Sequence, residues 1–257
     1  MNSQQPVGTL LRDWRTRRRL TQMDLALEAD VSPRHLSFVE TGRAQPSREM
    51  LLRLSERLDV PLRERNALLV SAGFAPMYRE RPLGDAALSA AREAVQAVLD
   101  SQKPFPAFAL DRHWNIVATN HAMPGLFAAV AEELRGPPMN ALRVSLHPRG
   151  LAPLIANLAE WRAHLLGRLR RQVDLTADPA LAALLEECAA YPGGEAAVEP
   201  HAVLVPLRIR TPAGTLALFS TTTVFGTPVD ITLSELAIEM FFPADAASAL
   251  AVRGAQV

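Results

Sequence analysis

A chain of 257 residues is long enough for one or two domains with a substantial core. With 49% hydrophobic and 21% charged residues its composition is that of an ordinary globular protein, and a formal net charge of zero removes any global electrostatic argument for a nucleic-acid partner. The single cysteine, Cys188, excludes an intrachain disulfide and a paired-cysteine zinc site; with no leader-like start and no apolar run of membrane-spanning length, the expected location is the cytoplasm, without membrane insertion.

Charge is spread unevenly, though mildly. Residues 1–80 hold 13 Arg against 10 acidic residues, a net of +3, and the remainder carries −3. A first helix is predicted over Val7–Arg19, with Leu10, Leu11 and Trp14 on its apolar stripe. Arg15, Arg17, Arg18 and Arg19 gather at its end, where they suit a solvated helix C-terminus and equally a DNA backbone.

Leu20–Arg43, LTQMDLALEADVSPRHLSFVETGR, then reads as two short helices joined by a tight turn. Thr21 is a suitable N-cap for the first, because its hydroxyl can accept from an otherwise unpaired amide. Asp30-Val31-Ser32 makes the turn; Ser32 caps the second helix and Pro33 takes its first position, where a missing N–H costs nothing. Leu36 and Val39 face inward, leaving Arg34, His35, Ser37 and Phe38 near the outer side. A plain helical hairpin with a solvated face would explain that much. The closing Glu40-Thr41-Gly42-Arg43 adds a glycine able to end the helix in a left-handed conformation and an arginine able to reach a phosphate.

The whole pattern, TQxxLA…SxxxLSxVExGxxxPS, resembles the helix-turn-helix domain of the XRE/Cro family, which includes phage repressors. Met50, Leu51, Leu54 and Leu58 mark a fourth helix, and Pro61 opens a fifth that stops around Gly73, so five short helices follow in the order of that domain. The resemblance implies contacts to double-stranded DNA from Gln22, to a phosphate or a base edge, and from the groove-facing Arg34, His35, Ser37 and Phe38, with Thr21 and Ser32 at the helix starts. Arg34 is the best base reader, because a guanidinium can bond guanine O6 and N7 together, worth about 1–3 kcal/mol of discrimination. Phe38 either touches a thymine methyl or packs within the domain, and packing is slightly favoured; His35 is either a phosphate contact or an idle surface residue. Thr41 and Arg43 read as backbone contacts. A module this small binds weakly alone, so a homodimer spanning two half-sites is expected.

Pro76, Pro82 and Gly84 break the stretch Phe74–Gly84 into a linker. The expected division is a DNA-binding domain over residues 1–75, a linker over 76–88 and a second domain over 89–257. Asp85–Gln102 returns to helix. Ala107–Leu110 and Asn115–Thr119 flank the polar turn Asp111-Arg112-His113 as a hairpin. Helices are predicted over Ala122–Leu134, Asn140–Leu146, Leu151–Gln172 and Ala180–Ala190. Val203, Val205, Leu207 and Ile209 then alternate with Leu204, Pro206, Arg208 and Arg210 at a strand period. Turns at Pro212-Ala213-Gly214 and Gly226-Thr227-Pro228 separate this from strands over Thr215–Val224, Ile231 and Leu236–Phe242. The fold class expected is therefore an all-α five-helix domain followed by an α+β domain with an antiparallel sheet, helices on one side.

That order looks like a PAS-type sensor fold. The phrases LDRHWNIVATN, NALRVSLHPRG, VPLRIRTPAG and FGTPVDITLSELAIEMFFPAD, with RHLSFVETGRAQPSREM and GFAPMY, resemble the MmyB-like regulators over nearly the whole chain. In that family an XRE-type DNA-binding domain precedes a PAS-like ligand-binding domain, and the resemblance implies an apolar pocket for a small, fatty-acid-like ligand. Phe105, Phe108, Trp114, Phe127, Trp161, Phe219 and Phe225 are compatible with such a pocket, although core packing explains any one of them more readily. Asn140, Arg143 and His147 either share a helical face that holds a carboxylate or serve capping and fold-holding bonds. Asn120 suits a helix cap better than a ligand contact.

Catalysis finds no support. The six histidines lack HExxH spacing, and no GxSxG, Walker loop or GxGxxG is present. The sequence thus points to a non-enzymatic transcription regulator without a tightly held cofactor. The alternative is a DNA-binding regulator whose second domain serves only dimerisation or partner contact.

Overall fold

The structure, a computed structural model, describes residues 5–122, 127–194, 204–212, 214–226 and 228–254. Internal contacts divide it into two units: Met1–Arg81 with Pro228–Ser234, and Pro82–Thr227 with Glu235–Val257.

The first unit is helical. α1 (Val7–Arg17), α2 (Gln22–Glu28), α3 (Pro33–Glu40), α4 (Arg48–Arg57) and α5 (Leu62–Ser71) close around Leu11, Trp14, Leu25, Leu36, Leu51 and Leu54. Their starts are set by side chains. Thr21, Ser32 and Ser47 each accept a hydrogen bond from an amide of the first turn, and Thr21 with Asp24 forms a reciprocal capping box. α1 lies tight against α3: a Cβ built on Gly8 would sit 2.2 Å from the Val39 carbonyl oxygen, so only glycine fits there.

The stretch after α5 folds back on it. Asn66 accepts from the amides of Met77 and Tyr78 and donates to the Tyr78 carbonyl. Distant residues join the same unit. The Ile231 amide donates to the Arg79 carbonyl, and Arg81 pairs with Asp230 at 2.9 Å. Ile231–Ser234 forms a helical turn, not the strand expected at Ile231, because Asp230 accepts from Thr232 N and Ser234 N through its side chain and carbonyl.

In the second unit β1 (Ala107–Leu110), β2 (Ile116–Thr119), β3 (Leu207–Thr211), β4 (Gly214–Val224) and β5 (Ala237–Pro243) form one antiparallel sheet in the order β2-β1-β5-β4-β3. The strand period sends alternate residues to opposite faces. Ala107, Ala109 and Ile238 pack with Val95 and Leu99 of α6 (Ser89–Ser101). Phe108, Leu110 and Phe241 join the larger cluster built with α7 (Ala141–Leu146), α8 (Leu158–Thr176) and α9 (Pro179–Ala190). Helices therefore cover both faces, which corrects the one-sided expectation and explains why all four residues of β1 are buried.

Three element predictions change. Ala122–Leu134 is not one continuous helix: Phe127 is helical, residues 128–131 are not, Glu132–Arg135 forms a separate turn, and residues 123–126 lie outside the described residues. The long helix begins at Leu158, because Ile155 leaves the helical path to bridge Ile209. A final helix, α10 (Ala246–Gly254), packs on β4 and β5, and its Ser248 hydroxyl accepts from Ala217 N at 2.9 Å. Residues Val203, Ala213 and Thr227 of the expected strand and turns lie outside the described residues. Among the described residues no helix is long and apolar enough to cross a membrane.

Candidate functional site

The α2–α3 corner is built locally. Asp30 takes a left-handed conformation, φ 52°, and Val31 N returns to the Ala26 carbonyl at 2.9 Å, which closes the end of α2. Ser32 then caps α3, accepting from His35 N at 3.4 Å, and Pro33 occupies the first turn. Leu36 and Val39 are fully buried, so α3 is fixed by its inner face. Arg34 and His35 are exposed, and Ser37 and Phe38 are half-buried. The Arg34 guanidinium lies 5.4 Å from the Phe38 ring centre, so the half-buried ring supports the arginine. Gly42 takes φ 73° and Arg43 N donates to the Phe38 carbonyl at 2.7 Å, which turns the chain and leaves Arg43 on the surface. The Thr41 hydroxyl donates to the Ser37 carbonyl.

Glu40 is the residue that sequence reasoning undervalued. It is buried, accepts from Arg15 Nε and Nη2 at 2.7 and 2.9 Å, and accepts from Gln22 Nε2 at 2.7 Å. One carboxylate therefore joins α1, α2 and α3, and the hydrogen bonds that Arg15 donates to it raise the Arg15 pKa against the lowering effect of burial. Gln22 is thereby held by the domain itself at the start of α2. Arg18 is likewise internal, donating to the carbonyls of Leu58 and Asp59. No single signal marks this: an acidic residue near a helix end matches many surface glutamates.

The second unit contains an apolar cavity of about 70 Å³ between the sheet and α7 and α8. Phe108, Trp114, Phe127 and Trp161 of the expected set line it, with Val144, Leu165 and Phe241. Phe105, Phe219, Asn140, Arg143 and His147 do not. Phe219 stacks on Phe242, and the Phe105 carbonyl accepts from Asn120. Asn140 caps α7 through Leu142 N and Arg143 N and donates to the His113 carbonyl. Arg143 forms a two-bond pair with Glu187, and His147 meets the Tyr191 ring edge-on. All three groups have partners within the protein and lie outside the cavity lining.

Trp114 deserves a wall position by an unusual backbone. It closes the β1–β2 turn at φ 66°, a conformation that costs a residue with a Cβ about 1–2 kcal/mol. Its ring is held in return: Nε1 donates to Gln172 Oε1 at 2.8 Å, and the Arg168 guanidinium stands 5.0 Å from the ring centre.

Arg168 and Glu239, which composition did not single out, are the charged groups on the cavity wall. Arg168 Nη1 and Nη2 reach Glu239 Oε1 and Oε2 at 2.8 and 3.0 Å, and Nη2 also donates to the Thr222 hydroxyl. Burial pushes the Glu239 carboxyl up, but the hydrogen bonds and charge of Arg168, with the Ser220 and Thr222 hydroxyls, outweigh it and hold the group below the ordinary glutamate value. Burial, then Arg168, lowers the neighbouring His164 imidazole, which stacks on Trp161. Cys188 is pushed up to about 12 by burial, so its thiol stays protonated and unreactive.

A family model described as the MmyB-like transcription regulator ligand binding domain matches residues 91–254, well over half of the chain. The chain belongs to the MmyB-like transcription regulators. A helix-turn-helix model matches residues 11–65 of this MmyB-like regulator. It is therefore a DNA-binding helix-turn-helix regulator with a ligand-binding-type C-terminal domain. Among solved structures, the restriction-modification controller protein C.AhdI from Aeromonas hydrophila is 32% identical over 23% of the MmyB-like chain and 89% of its own, with a TM-score of 0.22. The clp gene regulator ClgR from Corynebacterium glutamicum is 31% identical over 38% and 90%, with a TM-score of 0.23. A SinR–SinI complex chain is 22% identical over 38% and 94%, also with a TM-score of 0.23. No curated protein matches the MmyB-like chain.

Proposed function

We propose that this regulator reads a near-palindromic DNA site as a cytoplasmic homodimer, without enzymatic activity, and that a small apolar ligand with a fatty-acid-like chain controls the dimer's competence. The observation that carries the reading is the outer face of α3. Leu36 and Val39 anchor the helix inward, while Arg34 and His35 stand exposed, as does Arg43 just after the helix. Such a helix suits the major groove, with Arg34 on a base edge and Arg43 on a phosphate.

The cavity supports the ligand half of the reading. An apolar cavity of about 150 Å³ holds benzene. At about 70 Å³, this one admits an alkyl chain only when its walls separate. A ligand of that kind binds the open arrangement better than the closed one, and such differential binding is what a population shift requires.

The test is binding to sites selected from a random DNA library, at several salt concentrations. Arg34→Ala should relax preference at one base pair of each half-site, whereas Arg43→Ala should weaken all sites alike and reduce the salt slope by about one. Identical effects of the two substitutions would sink the assignment.

A further inference from the structure

The charge arrangement inside the cavity restricts what head group a ligand can carry. This step rests on the cavity being the ligand site. Its wall is apolar except for Ser145, Arg168 and Glu239, and both indole N–H groups are engaged: Trp114 with Gln172, Trp161 with the Ser145 hydroxyl at 2.9 Å. Arg168 is fixed from three sides by Glu239, Thr222 and the Trp114 ring. The Glu239 side chain is only 4% exposed. The cation on the wall is therefore already matched by a buried anion, and the pair is neutral as a unit.

We infer that the cavity takes an uncharged apolar molecule ending in a carbonyl or hydroxyl group and discriminates against a free carboxylate or an ammonium. A carboxylate drawn to Arg168 would bring a second negative charge beside Glu239 in an environment with little water, and the like-charge repulsion and desolvation oppose it. An ammonium drawn to Glu239 meets Arg168 by the same logic. A carbonyl oxygen, by contrast, can accept one of the guanidinium N–H groups not directed at Glu239, and a hydroxyl can also donate to the carboxylate. Neither adds net charge.

The experiment uses the full chain at neutral pH, with tryptophan fluorescence titration and thermal shift against hexanol, hexanone, hexanoate and hexylammonium. Hexanol and hexanone should bind at least about tenfold more tightly than either ion. In Glu239→Gln the guanidinium charge is no longer matched, so hexanoate should gain at least about tenfold relative to hexanone, whose carbonyl makes no bond to residue 239. If hexanoate binds the natural chain as tightly as hexanol, the inference is overturned and the cavity reading survives. If none of the four binds, both fall. Should Glu239→Gln fail to fold, the head-group series on the natural chain decides alone.

Discussion

The Glu40 carboxylate, its side chain 1% exposed, receives the Arg15 guanidinium through two hydrogen bonds of 2.7 and 2.9 Å. The pair spans 25 residues and ties the last turn of α3 to α1, while Gln22 bonds the same carboxylate from α2. Removing one partner of a buried pair leaves the other charge unmatched, at a cost of about 3–5 kcal/mol. Glu40→Ala should therefore destabilise the helical unit by about that amount in denaturant titration, with DNA affinity falling in parallel. A loss below about 1 kcal/mol would show the pair to be replaceable by water.

Glu239 makes an acid-side prediction. Its carboxyl is held below the ordinary glutamate value, so the folded state favours the ionised form more than the unfolded chain does. The resulting stabilisation is complete above the unfolded value of about 4.3 and disappears as pH falls through the lower folded value. Thermal melts should show the sheet unit weakening only in that acid window. In Arg168→Met, burial of Glu239 is no longer opposed by its cation, so the folded carboxyl moves up; the acid-side loss should disappear or reverse, with the variant weakest at neutral pH, and an unchanged acid profile would remove Arg168 as the cause.

Gly8 sets a steric limit. Its missing Cβ would stand 2.2 Å from the Val39 carbonyl oxygen and 2.9 Å from that of Glu40, both backbone atoms that cannot swing aside. Alanine normally improves a helix interior by about 1 kcal/mol over glycine. Here Gly8→Ala should instead destabilise the unit by about 2 kcal/mol, since overpacking forces α1 and α3 apart. Equal or greater stability on urea unfolding would contradict the close approach.

Phe38 and Arg34 make a coupled pair. The ring beneath the guanidinium restrains an otherwise exposed side chain before DNA arrives. Phe38→Ala should lose about 0.5–1 kcal/mol of the base discrimination assigned to Arg34, and lose almost none in an Arg34→Ala background. Competition between a selected site and its single-base variants measures this. Additive losses would mean that Phe38 acts on its own.

Much of the helix-turn-helix corner was legible because its chemistry is local. A hydroxyl at Thr21 or Ser32, a proline at 33 and a glycine at 42 each act within a few residues of chain. β3 was legible for a similar reason, since its two-residue period marks Leu207 and Ile209 as the covered face. Glu40 and Arg168 were not. Their roles depend on partners 25 and 71 residues away, and nothing in a lone Arg or Glu distinguishes a buried pair from a solvated surface charge. For Asn140, Arg143 and His147 helical spacing gave the shared neighbourhood but not the partners: Asn140 donates to the His113 carbonyl, Arg143 pairs with Glu187 and His147 meets Tyr191.

The pairing of Arg81 with Asp230 has a consequence for synthesis. The two residues lie 149 positions apart, yet both belong to the helical unit. At about 5–20 residues per second, a ribosome delivers Asp230 roughly 7–30 s after Arg81. Throughout that interval the nascent chain holds α1 to α5 without the segment that docks beside Arg79 and Arg81. The helical unit is thus completed only after most of the sheet unit has been translated.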